Sequence, residues 1–585
     1  CSSTERKILH FPISKLMKGF IINSDGFHWQ CVVENGCTAA GDCGGLLITF
    51  TPSGPLILGI HFAARFDNAG VMSVALFNRM FLDLDIIQSN DLDVDGFEVR
   101  KTNLHPKSIV RFCEKGVGDP KYSLEGEQAN YVSKVRPTLI SDYVVSKGVK
   151  ITHGPPVMNG YEPWRNAFLD IVVEKPTLDG EILELVKGQY ISDVIQQMTS
   201  KDIDTSYVHV YDTETAINGV DGLRYIDRLN MKTSAGFPYS GSKRKYSHID
   251  DDGRVIFDAE VMRRVQSIEE NYLMNRRFCP VFTAHLKDEP RKFKKIKDKM
   301  TRVFMGSPVD WNIIVRKYFL SAVRLIQMNK FIFGCAPGLV CQSIEWDDLA
   351  KYLTTFGEDT MIDGDYGAFD KTMFSDIILH SFDILCAILK HCGYSDDEIK
   401  VCKAIAIDTA FPVVKFKGDI IQLIGSNPSG HPLTVIINCL VNNLYVRYCY
   451  EKLRRENNFS GKFIDNVKII TYGDDHVLGV SPNISWFNHC SITKIFDSIH
   501  IKYTMADKEA ISIPFKPLSQ ITFLKRHFVW NKETNCYLCP IEEETLNKML
   551  TIEVASKVMQ PALQSFLHIH DVLREYFYYG RETFE

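Results

Sequence analysis

Two acidic strand ends constrain this chain more than any other feature. Val467-Lys-Ile-Ile-Thr-Tyr-Gly-Asp-Asp-His-Val-Leu-Gly-Val480 reads as two short apolar strands joined at Gly473-Asp474-Asp475. Glycine allows the tight turn and the aspartates are left at its tip, which by itself is ordinary hairpin chemistry. Thr360-Met-Ile-Asp-Gly-Asp-Tyr-Gly-Ala-Phe-Asp370 reads as a strand running into a turn. An amphipathic helix follows, with Ile377, Ile378, Phe382, Leu385, Ile388 and Leu389 on one face. Burying an aspartate at each of two neighbouring strand ends is costly unless a cation compensates. Side by side, Asp365 and Asp474 can hold two Mg²⁺ ions roughly 3.5–4 Å apart, an arrangement that activates an attacking hydroxyl and steadies a leaving pyrophosphate.

The rest of the chain is compatible with such a site. With 45% hydrophobic and 24% charged residues, it belongs with neither disordered, collagen-like nor disulfide-scaffold sequences. No stretch reaches the roughly 18 uninterrupted apolar residues of a membrane span. The net charge of −5 hides local clustering, because residues 287–302 carry eight Lys or Arg against three acids. Such a run is ordinarily a solvated face, but beside a carboxylate pair it can line a phosphate channel. Sixteen Cys without a repeating framework fit free thiols in a reducing compartment. Cys536-x-x-Cys539 has no second pair, and His568 and His570 lie nearly thirty residues on, so its spacing is not that of a zinc site. The chain begins at Cys1 and reads as a piece of something longer.

Asp365-x4-Asp370, then Ser429-Gly430 with Thr434 and Asn438, then Tyr472-Gly-Asp-Asp475 resemble motifs A, B and C of RNA-dependent RNA polymerases, in the order that family has them. The detailed form is similar to picorna-like positive-strand RNA viruses, with dicistrovirus- and iflavirus-like groups as expected neighbours. Lys287-Asp-Glu-Pro-Arg291 through Thr301-Arg302 resembles motif F, and Ser234-Ala-Gly-Phe-Pro238 motif G. Ala506-Asp-Lys508 resembles motif D, and Phe523-Leu-Lys-Arg526 motif E.

The resemblance implies an α+β right-hand polymerase of fingers, palm and thumb. Asp365, Asp474 and the adjacent Asp475 would be catalytic metal ligands for Mg²⁺, with Mn²⁺ an alternative. Lys287, Arg291, Lys295 and Arg302 would contact the triphosphate, where Arg suits bidentate and Lys point-charge recognition. Asp370, Ser429 and Asn438, supported by Thr434, would read the ribose 2′-hydroxyl. Ser429-Gly430 before Pro432 also reads simply as a loop entering a helix. Lys508 would protonate the leaving pyrophosphate. Ser234, Gly236 and Pro238 would border the template, and Lys525 and Arg526 would meet primer phosphates. Template and primer RNA and nucleoside triphosphates are the expected partners, with a protein primer and other viral replication proteins beside them. The expected location is the host cytoplasm, at membrane-associated replication complexes reached through those other proteins.

Residues 1–88 differ in texture, with short apolar runs such as Leu46–Phe50 and Leu56–Ile60 between turn residues. Gly41-Asp-Cys-Gly-Gly45 and Gly59-Ile-His-Phe62 resemble the C-terminal barrel of picornaviral-type, chymotrypsin-like cysteine proteases. On that resemblance Cys43 is the nucleophile, while Thr38 and His61 form the pocket reading glutamine. The catalytic His and its acidic partner belong to a first barrel absent here, so Cys43 is expected to be nearly inactive. Polar Ser89–Gly96 is the expected linker, Gln88-Ser89 a release site, and 89–585 the polymerase, with the thumb from about 516 compact or incomplete. Two rivals remain. A reverse transcriptase can present two aspartates at a hairpin, but Asp370 and Asn438 favour ribose. A precursor devoted to RNA binding and proteolytic processing is the other.

Overall fold

A computed structural model describes residues 131–173, 178–507 and 510–585, together with Ser108 and the backbone of the strands named below that precede residue 124. The chain divides into two compact units, Cys1–Asn90 and Asp91–Glu585. In the first, strands Ile13–Ile21, Ser24–Val33, Leu46–Thr51, Gly54–Ala64 and Gly70–Ala75 form one antiparallel sheet, with the fifth strand between the second and the fourth. His61 falls on Gly54–Ala64, paired with Ser73, and its side chain lies outside the described residues. Thr38 and Cys43 also lie outside them.

The second unit centres on a four-stranded antiparallel sheet, in the order Val467–Tyr472, Asp475–Val480, Met361–Tyr366 and Tyr503–Thr504. Both acidic segments of the sequence therefore lie in one sheet. Helices Ser375–His391 and Thr434–Glu456 pack together, and Gly180–Ser200 packs against both. The stripe on Ser375–His391 is buried as expected, but Leu379, Ile384 and Cys386 off that stripe are buried too. The helix is enclosed by neighbours and does not cap the sheet with one face. Thr434–Glu456 buries Asn438, Asn442, Asn443, Arg447 and Glu451 among its apolar residues, so polar groups sit inside the core and must be hydrogen-bonded there. It starts at Thr434, which leaves Pro432 just ahead of the first turn.

A second, mixed sheet runs Val303–Gly306, Val281–Leu286, Val413–Phe416, Asp419–Leu423 and Gly118–Ser123. Its first two strands are antiparallel and hold the basic segment 287–302 between them. Behind this sheet Asp408, fully buried on helix Asp396–Ala410, accepts from Arg277 Nε at 2.8 Å, Tyr272 Oη at 2.7 Å and the Cys279 N–H at 3.2 Å. A buried carboxylate survives only with such a full set of donors.

Beyond residue 515 the chain forms hairpins Thr522–Phe523 with Arg526–His527 and Val529–Asn531 with Cys536–Leu538, then helices Glu543–Thr551 and Pro561–Tyr576. Trp346 stacks on Phe528 at 4.4 Å between ring centroids, in an apolar cluster with Phe523, Ile470 and Val477 that joins the first hairpin to the central sheet. Strand Ile552–Val554 pairs back onto Val135–Pro137. Arg526 departs from the expectation that it meets RNA. It is 7% exposed and its guanidinium donates to both oxygens of Glu575, at 2.7 and 2.8 Å, and to Cys539 O at 2.8 Å. It braces the C-terminal helix; an arginine spent bidentately on a carboxylate is not available to phosphate. Among the described residues no helix is long and apolar enough to cross a membrane.

Asp408→Ala strands the Arg277 guanidinium, so a loss of about 3–5 kcal/mol in urea unfolding is expected. A loss within experimental scatter would show that the network carries no stability.

Candidate active site

The register of the central sheet sets the acidic residues against one another. Asp363 pairs with Val477 and Gly364 with His476, so the next step along the two strands places Asp365 beside Asp475. Side chains alternate along a strand, and Asp363 and Asp365 therefore share a face. Gly473 takes φ +68° at the turn, in the left-handed region that a side chain disfavours. Asp474 is exposed at the tip, while Asp365 and Asp475 are partly buried.

The long helix holds this tip from below. Asn442 Nδ2 donates to the carbonyls of Gly473 at 3.1 Å and Asp474 at 3.0 Å, and Cys439 Sγ accepts from the Gly473 N–H at 3.1 Å. Asn442 Oδ1 accepts from Tyr366 Oη at 3.2 Å, which ties the helix to the strand that carries Asp365. From the side, the Leu524 N–H donates to Asp475 Oδ2 at 2.8 Å.

The charges are unequally compensated. Asp363 is buried and neutralised, with Lys516 Nζ 2.8 Å from Oδ1 and the Thr522 N–H 3.1 Å from Oδ2. Burial pushes the Asp475 carboxyl up to about 7; the Leu524 N–H opposes this, and the negative charges of Asp474, Asp365 and Asp363 add to it. Asp365, Asp474 and Asp475 are thus close enough to act on one another as like charges, a repulsion that a hard divalent cation would relieve. Among the described residues no three His, Cys, Asp or Glu side chains close into a metal cage. Magnesium needs none, since it commonly keeps waters and takes one or two carboxylates plus substrate phosphates. The residues present fit such an ion.

Next to the carboxylates lies a chain of amides. Asn438 Nδ2 donates to Asp370 Oδ1 at 2.6 Å, and Asn427 Nδ2 donates to Asn438 Oδ1 at 2.7 Å. The Asp370 carboxyl is raised to about 6 by burial and by the charge of Asp474, with Asn438 and Arg302 opposing. Thr434 Oγ1 lies 2.8 Å from Pro428 O and accepts from the His431 N–H at 3.2 Å, closing the loop ahead of the helix. Ser429 is exposed on that loop, two residues after Asn427. Gly430 is pressed against the neighbouring sheet, where a Cβ would meet Met305 O at 2.5 Å.

The basic segment lines the other side. Glu289 carries three cations, with Lys287 at 3.1 Å, Arg302 at 3.4 Å and Arg291 at 3.9 Å, which leaves positive charge in excess. Arg302 reaches Asp370 electrostatically. Arg291 is the most enclosed of these, donating to Met300 O at 3.0 Å, whereas Lys295 is exposed with Nζ 3.7 Å from Met300 Sδ. In the Ser234–Pro238 loop, the Ala235 carbonyl accepts from the Val309 N–H at 2.8 Å and Gly236 backs onto Ser307 and Pro308; Ser234 and Pro238 stay exposed. Lys525 is exposed at the tip of its hairpin, where Leu524 and Lys525 have φ of +53° and +61°, as a two-residue I′ turn requires. Lys508 lies outside the described residues. Asn427, His431, Asn442 and the Asp363–Lys516 pair are not distinguished by the sequence. The one signal for Asn442 is its place four residues after Asn438, one helical turn along the same face.

A family model for viral RNA-dependent RNA polymerase matches residues 175–571. The RNA1 polyprotein of Cowpea mosaic virus (strain SB) is 27% identical over 403 residues, covering 65% of this chain and 21% of that one. The replicase polyprotein of Drosophila C virus (strain EB) is 28% identical over 427 residues, 70% of this chain and 24% of that one. The replicase polyprotein of Cricket paralysis virus is 25% identical over 587 residues, 95% of this chain and 33% of that one. The chain therefore spans between 21% and 33% of the length of these relatives. Among solved structures, a Sicinivirus 3Dpol RNA-dependent RNA polymerase superposes with a TM-score of 0.64 at 20% identity, over 78% of this chain and 90% of that one, which is a likeness of fold. With the family match running over the whole segment that carries the acidic hairpin, the amide chain and the basic loop, this chain belongs to the viral RNA-dependent RNA polymerase family.

Proposed function

We propose that this chain performs template-directed RNA synthesis, joining nucleoside triphosphates to an RNA 3′-hydroxyl during replication of a picorna-like positive-strand RNA genome. The observation that carries this reading is the placement of Asp365, Asp474 and Asp475 at neighbouring strand ends, close enough to raise the Asp475 carboxyl, together with a basic segment that gathers Lys287, Arg291 and Arg302 around Glu289. Nucleotidyl transfer asks for that division, with carboxylates for cations on one side and cationic side chains for the triphosphate on the other.

Asp365 and Asp474, with Asp475 adjacent, would hold two Mg²⁺ ions, or Mn²⁺ in their place, which when bound supply activation of the attacking hydroxyl and charge neutralisation at the leaving pyrophosphate. Lys295 and Arg302 bind the triphosphate, and Lys287 and Arg291 extend the same positive wall. Asp370, held by Asn438, accepts the ribose 2′-hydroxyl. Lys508 Nζ delivers a proton to the leaving pyrophosphate oxygen. Ser234, Gly236 and Pro238 border the template, and Lys525 meets a primer phosphate. A protein primer, other viral replication proteins and a membrane-associated cytoplasmic complex belong to the same reading. The first unit is read as the second barrel of a chymotrypsin-like cysteine protease, with Cys43 as nucleophile and Thr38 and His61 as substrate pocket.

The relatives' names as polyproteins favour a second reading, in which the joined chain is a precursor that binds RNA and awaits processing near Gln88-Ser89.

Asp474→Ala is expected to reduce Mg²⁺-dependent primer extension by roughly three orders of magnitude or more. Binding to primed RNA, read by fluorescence anisotropy, should change by less than about threefold, because phosphate contacts carry that affinity. Retained extension would remove Asp474 from the chemistry. Lys525→Ala should lower the slope of log affinity against log salt by about one. Arg526→Ala should leave that slope alone and cost about 2–4 kcal/mol of stability in urea unfolding, since it strands Glu575. Extension by residues 89–585 should exceed that by 1–585 if the joined chain is a restrained precursor; equal rates count against restraint.

A further inference from the structure

An asparagine amide has the same shape with its nitrogen and oxygen exchanged, so Asn438 can offer Asp370 either a donor or an acceptor. Only the donor is compatible with a carboxylate. The carboxylate selects that orientation from one end, and a second constraint acts from the other, two residues further along the hydrogen-bond chain, where it begins at a group with no choice.

The Leu433 backbone N–H, which can only donate, points at His431 Nδ1 at 3.3 Å. Nδ1 must therefore be bare, and in a neutral imidazole the proton sits on Nε2. Nε2 lies 3.0 Å from Asn427 Oδ1 and donates to it. That turns Asn427 Nδ2 the other way, toward Asn438 Oδ1 at 2.7 Å and Thr434 O at 3.3 Å. With its oxygen taken, Asn438 presents Nδ2 to Asp370 Oδ1 at 2.6 Å. Reversing any one link sets donor against donor or acceptor against acceptor. The Asn427 N–H also donates to the Asp370 carbonyl at 3.0 Å, so the same residue holds the backbone of the acid.

The origin of the chain is immobile. His431 is 8% exposed, and its ring meets Trp311 edge-on at 5.8 Å and Phe282 at 6.5 Å between centroids. Burial drives its pKa down to about 3, so the imidazole stays neutral and Nδ1 stays an acceptor.

We propose that His431 and Asn427 are specificity-positioning residues, forming a one-way hydrogen-bond relay that locks the Asn438 amide donor-first onto Asp370 and so sets the preference for ribose over 2′-deoxyribose. The inference rests on the polymerase reading and deepens it. With Oδ1 of Asp370 occupied by Asn438, the other carboxylate oxygen is the acceptor for the ribose hydroxyl. If Asn438 turns over, its carbonyl faces the carboxylate, the two repel, and the acceptor is no longer aimed. A deoxynucleotide makes no use of that acceptor and loses nothing.

The test is single-nucleotide incorporation of UTP and of 2′-deoxy-UTP by the full chain on a primed RNA template, with kcat/KM measured for each. Asn427→Asp keeps the shape and removes the donor to Asn438; His431→Phe keeps the ring and removes the donor to Asn427. Each should reduce the UTP-to-dUTP ratio about tenfold, the worth of one lost charged hydrogen bond, with most of the loss on the UTP side. His431→Gln, which retains a side-chain donor, should keep the ratio within about threefold of wild type. If both rates fall together and the ratio is unchanged in the first two variants, these residues are merely structural and the proposal is overturned. A loss in His431→Gln as large as in His431→Phe overturns it as well. Because two positions test one relay, a variant without a cooperative thermal transition leaves the other to decide. A wild-type chain that does not extend the primer, or that shows no ribose preference, sinks the polymerase reading itself, which is a different result from an unchanged ratio.

Discussion

Like charges held together in a partly dry site are what the second unit is organised around. Asp365, Asp474 and Asp475 repel one another, and nothing in a hairpin turn alone would keep them in place. The answer is a scaffold of neutral donors. Asn442 and Cys439 bind the backbone of the turn, the Leu524 N–H binds Asp475, and Asp363, paired with Lys516, stands back from the turn. Neutral hydrogen bonds hold the geometry and leave the field intact.

One helix does this for two purposes. From Asn438 it reaches Asp370, and one turn later, from Asn442, it reaches the carbonyls of Gly473 and Asp474. The parts of the site that would judge the sugar and perform the chemistry therefore hang on the same rigid element, and their separation is set by the rise of the helix. Side chains on a strand or helix are placed more exactly than those on loops, which suits a site whose output depends on where a few oxygens lie. The loop Asn427–His431 is irregular, yet its hydrogen bonds and the aromatic walls of Trp311 and Phe282 make it part of the same solid.

Local pattern was legible. The alternation and Gly-Asp-Asp tip of Val467–Val480 read as a hairpin and form one, and the apolar spacing of Ile377–Leu389 reads as a helix and lies in one. The ordered motifs pointed to the polymerase family that the comparison bears out. What was not legible depends on partners far along the chain. Arg526 looked like a cation for phosphate because a neighbour at position 575 leaves no mark on the sequence around 526. Asn427, which holds Asn438 by its side-chain amide, has no mark in the sequence that sets it apart from the other loop residues. The Ser375–His391 helix showed one apolar face and is buried on more, because its polar-looking side packs on other helices.

The amino-acid order by itself determined which groups exist and their local spacing: carboxylates at two strand ends, a basic segment, amides one helical turn apart. Those follow from backbone periodicity, which acts over a few residues. Tertiary structure decided which of those groups keep their charge for a substrate and which are spent on the protein. Asp363 and Arg526 are spent on partners within the protein, whereas Lys525 stands exposed at its hairpin tip. Neutralisation is a matter of what lies within a few ångströms, and in a folded chain that is set by packing between elements far apart in sequence, 153 residues for Asp363 with Lys516 and 49 for Arg526 with Glu575.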